Sequence, residues 1–377
     1  MMICSLKRFG YLSLAALAVF LWTYLPFRVE ENSGAPKPAT LLGGPMVQLG
    51  NTDGLSSIVI VWRTAGKTAS RVDYGETPAY GQQAVNRDPT ERHAVVLRGL
   101  KPNSEYHYRV SGDNGTLADA AFRTGKTADR PFKFAVLGDS GSGQLSQYLV
   151  ARQIGRQQVD FLLHTGDVVY FDGRDEDYAA KFYLPFKDLI ARVPIFPVLG
   201  NHDLETANGE PWLDNFVLPG DERMYSFSYG NAFFVALDSY RANINSARWL
   251  EAQLAKTDRL WRFAFSHVPP FTNHKNRRNH ADAIRLWLPL FEKYKVDVVF
   301  SGHDHMYTRF KPHNGVQYIV EGLGGYSFQK LAPHAENVLF TNNTEYGFGL
   351  TEIDGRRLVF KHVTADGRVL DGFSLSK

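Results

Sequence analysis

The chemistry in this chain is concentrated in five short segments: Gly138-Asp139-Ser140-Gly141, Gly166-Asp167-Val168-Val169-Tyr170, Gly200-Asn201-His202-Asp203, His267 and Gly302-His303-Asp304-His305. Carboxylates, imidazoles and an amide oxygen are donors suited to borderline and hard cations. The only cysteine, Cys4, precedes all of them, so no thiolate can take part and no intramolecular disulfide can form. One segment alone says little, because a Gly-Asp at a strand end is more often a capped turn and a lone histidine more often a packed structural residue.

What makes the set informative is the elements that precede its members. Apolar runs from Phe132 to Leu137, Phe161 to His164, Ile195 to Val198, Phe263 to Phe265 and Val296 to Phe300 each lead into one of the segments. With further runs from Phe233 to Leu237 and Gln317 to Val320, they alternate with helical patterns around Gln144 to Gln157, Tyr178 to Ala191, Ser246 to Lys256 and Ala281 to Tyr294. That rhythm predicts an α/β domain over 131–377, closed by an antiparallel pair, Phe348 to Ile353 and Leu358 to Val363. Open α/β sheets bind ligands beyond the carboxyl ends of their strands, so the five segments can converge. Ahead of this domain, Ile58 to Trp62, Arg71 to Tyr74, His93 to Leu97 and Tyr106 to Val110 are short strands separated by turn residues, which predicts a β-sandwich over 44–126. Residues 31–43, with Gly34, Pro36 and Pro38, read as a linker.

The ordered series Gly-Asp, Gly-Asp-x-x-Tyr, Gly-Asn-His-Asp, His and Gly-His-x-His resembles the metallophosphoesterase superfamily and, within it, the purple acid phosphatases. The stretch from Leu100 to Val110 resembles a corner of fibronectin type III domains, and those phosphatases also carry such a β-domain before the catalytic one. The resemblance implies a catalytic domain of two mixed β-sheets flanked by helices. Many metallophosphoesterases have Asp-x-His in the first motif, where this chain has Asp139-Ser140-Gly141; Tyr170 is placed to supply the missing ligand as a phenolate. By the same resemblance Asp139, Asp167, Tyr170 and His305 hold one ion, while Asp167, Asn201, His267 and His303 hold a second, with Asp167 shared.

Charge supports that allocation. Two close cations repel and need a shared carboxylate between them. Asp139, Asp167 and a Tyr170 phenolate carry the negative charge, and a trivalent ion at the tyrosine site leaves the cluster positive toward a phosphate dianion. A phenolate also needs a strongly Lewis-acidic ion near neutral pH, so the expected pair is Fe³⁺ with Zn²⁺, Fe²⁺ or Mn²⁺. The expected reaction is hydrolysis of phosphate monoesters by in-line attack of a metal-bound hydroxide, with no covalent intermediate. His202 is the expected donor to the leaving oxygen, since imidazole titrates within reach of neutral pH. Asp203 either orients His202 or caps a turn. Asn201 also faces substrate, and His274 and His280 either reach phosphate or are ordinary loop histidines. Asp304 is expected to point away from the ions, Arg309 to pair with a carboxylate and His164 to pack in its strand.

The remaining numbers bound the answer. A chain of 377 residues with 44% hydrophobic and 21% charged residues is a globular protein of about two domains. A net charge of +3 gives no reason to expect nucleic acid as a partner. Lys7 and Arg8 precede an uncharged run from Phe9 to Phe27, close to the ~20 residues of a membrane span. Residues 1–30 are therefore a signal peptide or an anchor, an anchor being favoured because no small-x-small cleavage site follows. The protein is expected to be exported, periplasmic, extracellular or anchored with its catalytic domain outside the cytoplasm. Its expected partner is a small phosphorylated substrate, with the membrane a second if the segment stays uncleaved; oligomerisation is left open. Two other readings remain: a phosphodiesterase on the same metals, and a catalytically silent binding protein.

Overall fold

The computed structural model describes residues 39–333 and 337–377. The N-terminal apolar run lies outside them, and no helix among the described residues is long and apolar enough to cross a membrane.

The chain begins with a strand-rich domain of β1 (Thr40–Gln48), β2 (Ser57–Gly75), β3 (Gln82–Arg98), β4 (Glu105–Gly112) and β5 (Gly115–Arg123). They are hydrogen-bonded in the order β1-β2-β4-β5, with β3 also on β2. The short runs Ile58 to Trp62 and Arg71 to Tyr74 are two halves of one long strand, whose ladder to β3 shifts register between Arg63 and Ser70. Such irregularities bend a strand, so alternate residues of both halves meet in one core that includes Ile58, Trp62, Val72, Tyr74, Tyr108 and Phe122. In it His93 lies flat on Trp62 at 4.6 Å. Its ring nitrogens pair with Thr64 Oγ1 at 2.9 Å and Ser70 Oγ at 2.8 Å, and burial holds it down at about 4. The expected linker is too long: residues 40–43 already belong to β1, because pairing of Thr40 with Ala65 and Leu41 with Thr64 supplies order that the local sequence does not advertise.

From residue 132 the elements alternate. In chain order the strands are β6 (Phe132–Leu137), β7 (Phe161–His164), β8 (Ile195–Pro197), β9 (Tyr225–Tyr229), β10 (Ala232–Leu237), β11 (Trp261–Ser266), β12 (Val298–Ser301), β13 (Tyr307–Phe310), β14 (Gln317–Glu321), β15 (Val338–Asn342), β16 (Gly347–Asp354), β17 (Arg357–Thr364) and β18 (Val369–Ser376). The α-helices are α1 (Leu145–Gly155), α2 (Leu184–Ile190), α3 (Asn201–Glu205), α4 (Glu210–Asn215), α5 (Ile244–Lys256), α6 (Ala281–Leu286) and α7 (Leu288–Lys293). Two of the expected helices are interrupted. Tyr178 to Ala191 is a π-helical turn, Ala179–Tyr183, followed by α2, and Ala281 to Tyr294 is divided into α6 and α7. Pro185 and Pro289 lack the amide hydrogen that a continuous helix would require, and each sits in the first turn of the second piece.

The strands form two mixed sheets, β18-β17-β16-β6-β7-β8 and β15-β13-β14-β12-β11-β10-β9. Phe134 and Phe161 of the first meet Phe234 edge-on, each at 5.3 Å, within one core shared by both sheets. Strands β6, β7 and β8 are parallel, and so are β10, β11, β12 and β14, so in both sheets the carboxyl ends of the central strands lie along one edge.

The β-domain is joined to this core. Met46, Leu49, Val59 and Val61 belong to the same buried cluster as Phe134 and Phe263. Tyr108 Oη donates to the Ala191 carbonyl at 2.8 Å, and Arg63 Nη2 to Asp175 at 2.7 Å.

Candidate metal centre

All seven expected ligands gather beyond the shared strand edge. Asp139 follows β6, Asp167 and Tyr170 follow β7, Asn201 opens α3 after β8, His267 follows β11, and His303 and His305 follow β12. Tyr170 Oη is 2.9 Å from Asp167 Oδ2, 3.2 Å from Asp139 Oδ1 and 3.1 Å from His305 Nε2. On the other side of Asp167, His267 Nε2 stands 3.5 Å from Oδ2, 3.2 Å from Asn201 Oδ1 and 3.1 Å from His303 Nδ1. Asp167 lies between the two groups and touches both.

The donor set fits cations. His267 Nδ1 donates to the Thr165 carbonyl at 2.7 Å, which leaves Nε2 of the neutral ring as a lone pair facing the lone pairs of Asn201 and Asp167. Burial would depress His267, yet the Asp167 and Asp139 carboxylates override it and raise its affinity for a proton. The pocket thus calls for positive charge. Burial first, and then the neighbouring His267, depress His303 to about 2. Asp139, with its His305 bond and nearby His267 opposing burial, is held at about 2 and stays ionised. Tyr170 is pushed well above an ordinary phenol by burial, then by Asp139 and Asp167. Its proton leaves only for a strong Lewis acid.

Backbone geometry is specialised here. Asp139, Asp167 and His303 adopt φ of +57°, +54° and +68°, a left-handed region that non-glycine residues enter at a cost and that clusters at functional sites. Close approach also restricts two neighbours. A Cβ on Gly200 would lie 2.0 Å from Asp167 Oδ1, and one on Gly302 2.6 Å from Asp139 Oδ2.

The other expected residues divide. His202 lies at the rim with its ring 4.6 Å from that of Tyr170, and Nδ1 on the Phe171 carbonyl leaves Nε2 free. Asp203 does not touch His202. It is buried, raised to about 7 by burial and then Asp167, and accepts the amide hydrogens of Val168 and Gly200, both at 2.9 Å. These bonds pin the Asp167 loop to the Asn201 loop, which favours the capping alternative for Asp203 over orientation of His202. His280 Nδ1 accepts the Ala283 amide at 3.0 Å and caps α6, and no hydrogen bond joins its ring to the expected ligands. His274 Nδ1 takes the Asn276 amide at 3.2 Å, and no bond joins it to the ligands. His164 packs in β7 with Nε2 on Ser140 Oγ, Arg309 pairs with Asp371, and Asp304 turns from the ligands toward Thr272 and Arg277.

Several contributors went unread in the sequence. Tyr326 stacks on Tyr170 at 3.8 Å, Ser327 Oγ bonds His305 Nδ1 at 2.8 Å, and Tyr240 Oη lies 3.4 Å from Asn201 Oδ1. Arg277 folds back onto the His303 carbonyl and Asp304. Only Tyr240 carries a legible signal, since Asp238-Ser239-Tyr240 follows β10 as the ligands follow their strands.

Comparison with known proteins finds relatives for both domains. Residues 132–307 match the calcineurin-like phosphoesterase family, and residues 45–124 the purple acid phosphatase N-terminal domain. Purple acid phosphatase 21 of Arabidopsis thaliana is 29% identical, covering 68% of this chain and 66% of its own length. Purple acid phosphatase 15 of the same plant is 30% identical, covering 65% and 56%. The chain thus spans less than two thirds of these relatives. A purple acid phosphatase from yellow lupin (Lupinus luteus) seeds shares the fold with a TM-score of 0.76 at 21% identity, covering 88% of this chain and 74% of that one.

Proposed function

Since residues 132–307 match the calcineurin-like phosphoesterase family and residues 45–124 the purple acid phosphatase N-terminal domain, we propose that the chain is a metallophosphoesterase that hydrolyses phosphate monoesters at a dinuclear metal centre. The observation that carries this reading is the gathering of six further donors from five loops around one buried carboxylate, Asp167, which touches Tyr170 on one side and His267 on the other. Asp139, Asp167, Tyr170 and His305 would hold one ion; Asp167, Asn201, His267 and His303 would hold the other. When bound, the ions supply Lewis acidity to a water for attack on phosphorus and positive charge to the phosphoryl oxygens. The elevated Tyr170 phenol favours Fe³⁺ at the first position, beside Zn²⁺, Fe²⁺ or Mn²⁺.

The chain's own residues do the rest. Asp167 keeps the two donor groups in contact, and Thr165 fixes the His267 tautomer that offers Nε2. His202, its Nδ1 committed to the Phe171 carbonyl, can present a protonated Nε2 to the leaving oxygen. The ester P–O bond breaks as the bond from water forms, and the proton ends on the leaving alcohol. Export rests on the run from Phe9 to Phe27 alone, outside the described residues.

The test is the visible spectrum and metal content of the purified protein, with hydrolysis of phenyl phosphate and of its diester counterpart before and after chelation. Coloured protein that prefers the monoester and is silenced by chelation is expected. Full activity without bound metal would overturn the reading.

A further inference from the structure

The mouth of the metal pocket carries exposed aromatic rings. Among the described residues the three exposed aromatic side chains are Phe171, Tyr240 and Phe328, at 64, 45 and 40% of full exposure. Each is attached to the centre. Phe171 follows Tyr170, its carbonyl receives His202 Nδ1, and its ring meets Tyr326 edge-on at 5.7 Å. Tyr240 stands beside the other donor group, its ring 6.5 Å from that of His267. Phe328 follows Ser327, the partner of His305, and stacks on Tyr346 at 4.3 Å.

Single exposed rings scattered over a surface are ordinary, but gathered around one site they mark recognition. Gripping cations needs only polar donors, so the metal chemistry does not account for them. With the phosphoryl group on the ions, the ester oxygen and its organic part must point outward, past His202, into this rim. A ring entering there would cover apolar surface and find edge or face partners.

We propose that Phe171 and Tyr240 form an aromatic subsite for the leaving group, and that the preferred substrates are phosphate monoesters of alcohols bearing a planar aromatic ring. This rests on the phosphoesterase reading and goes further in naming the substrate class. Phenols and nucleosides share that chemistry, and the choice of substrates separates them.

The experiment measures kcat/KM of the full-length protein and its variants for phenyl phosphate, a nucleoside 5′-monophosphate and glycerol phosphate. Dividing each aromatic value by the glycerol phosphate value cancels any general loss. In Phe171→Ala that ratio should fall about tenfold, mainly through KM, the size expected for a lost apolar contact in a binding pocket. Phe171→Trp should restore it. A fall with phenyl phosphate assigns the ring to the ester oxygen's own substituent, and a fall with the nucleotide assigns it to a base farther out. Tyr240→Leu, which leaves the Tyr170 loop untouched, should lower the same ratio. Ratios unchanged in both variants and both arms would overturn the subsite while leaving the phosphoesterase reading intact. A parent protein that hydrolyses none of the esters would overturn the reading beneath it.

Discussion

Substituting Tyr170 by Phe deletes one oxygen and keeps the ring, which is held by its 3.8 Å stack on Tyr326. That oxygen meets Asp139, Asp167 and His305 within 3.2 Å, so it is either a phenol donating to carboxylates or a phenolate facing a cation. Ionising an ordinary phenol at pH 7 costs about 4 kcal/mol, at 1.36 kcal/mol per unit below its pKa of ~10. Burial and the two carboxylates make the cost at Tyr170 larger. Metal uptake by the parent protein must supply that free energy and expel the proton, whereas the Phe variant has no such proton to lose. Iron binding should therefore release one more proton per site in the parent, measured as the buffer dependence of the binding enthalpy. The visible charge-transfer band should vanish in Tyr170→Phe. The metal-free variant should lose about 1 to 3 kcal/mol of stability, because buried carboxylates lose a donor. A variant that keeps its colour, or releases as many protons as the parent, would show that Tyr170 is no ligand.

His202→Asn should lower kcat about 10²-fold for an alkyl phosphate and much less for an aryl phosphate, whose leaving group departs without a proton; equal losses would remove His202 from the leaving-group side. Gly302→Ala forces a methyl group to 2.6 Å from Asp139 Oδ2 and 2.7 Å from Thr165 Oγ1, and elemental analysis should find the ions depleted. In the β-domain, His93 has a folded pKa of about 4, below that of an exposed histidine. Unfolded chains then bind the extra proton first, so stability should fall by roughly 3 kcal/mol as pH drops from about 6.5 to 4 and level off below that. Urea midpoints should show this slope reduced in His93→Gln, and an unchanged slope would reject the assignment.

The parts of the fold that were legible are those with local signals. Strands β6 and β7 are short apolar runs that lead into Gly-Asp, and their limits read directly from the residues. Strands β1, β5, β9, β13, β15 and β18 are not among those the sequence predicts. Tertiary pairing defines them, as with Thr40 on Ala65 or Tyr307 on Glu321. In the site, the candidate ligands are legible because each follows a strand, and the structure brings all seven side chains near one another. Side-chain direction was not legible: Asp203 looked like a companion to His202 but faces backbone amides, and His280 looked free but caps a helix. Tyr326 and Arg277 reach the site from loops whose sequence gives no period or motif to read.

The apolar seam through Met46, Leu49, Val59 and Val61 bears on how this protein can be divided. Those side chains sit in the hydrophobic interior of the α/β half, so excising residues 131–377 would lay bare a greasy face and favour aggregation of the fragment. The front domain is a wall of the building rather than an annexe. Grafting, truncation or recombination between relatives should succeed only where both halves travel together, and limited proteolysis between them should yield fragments that stay associated until denaturant is added.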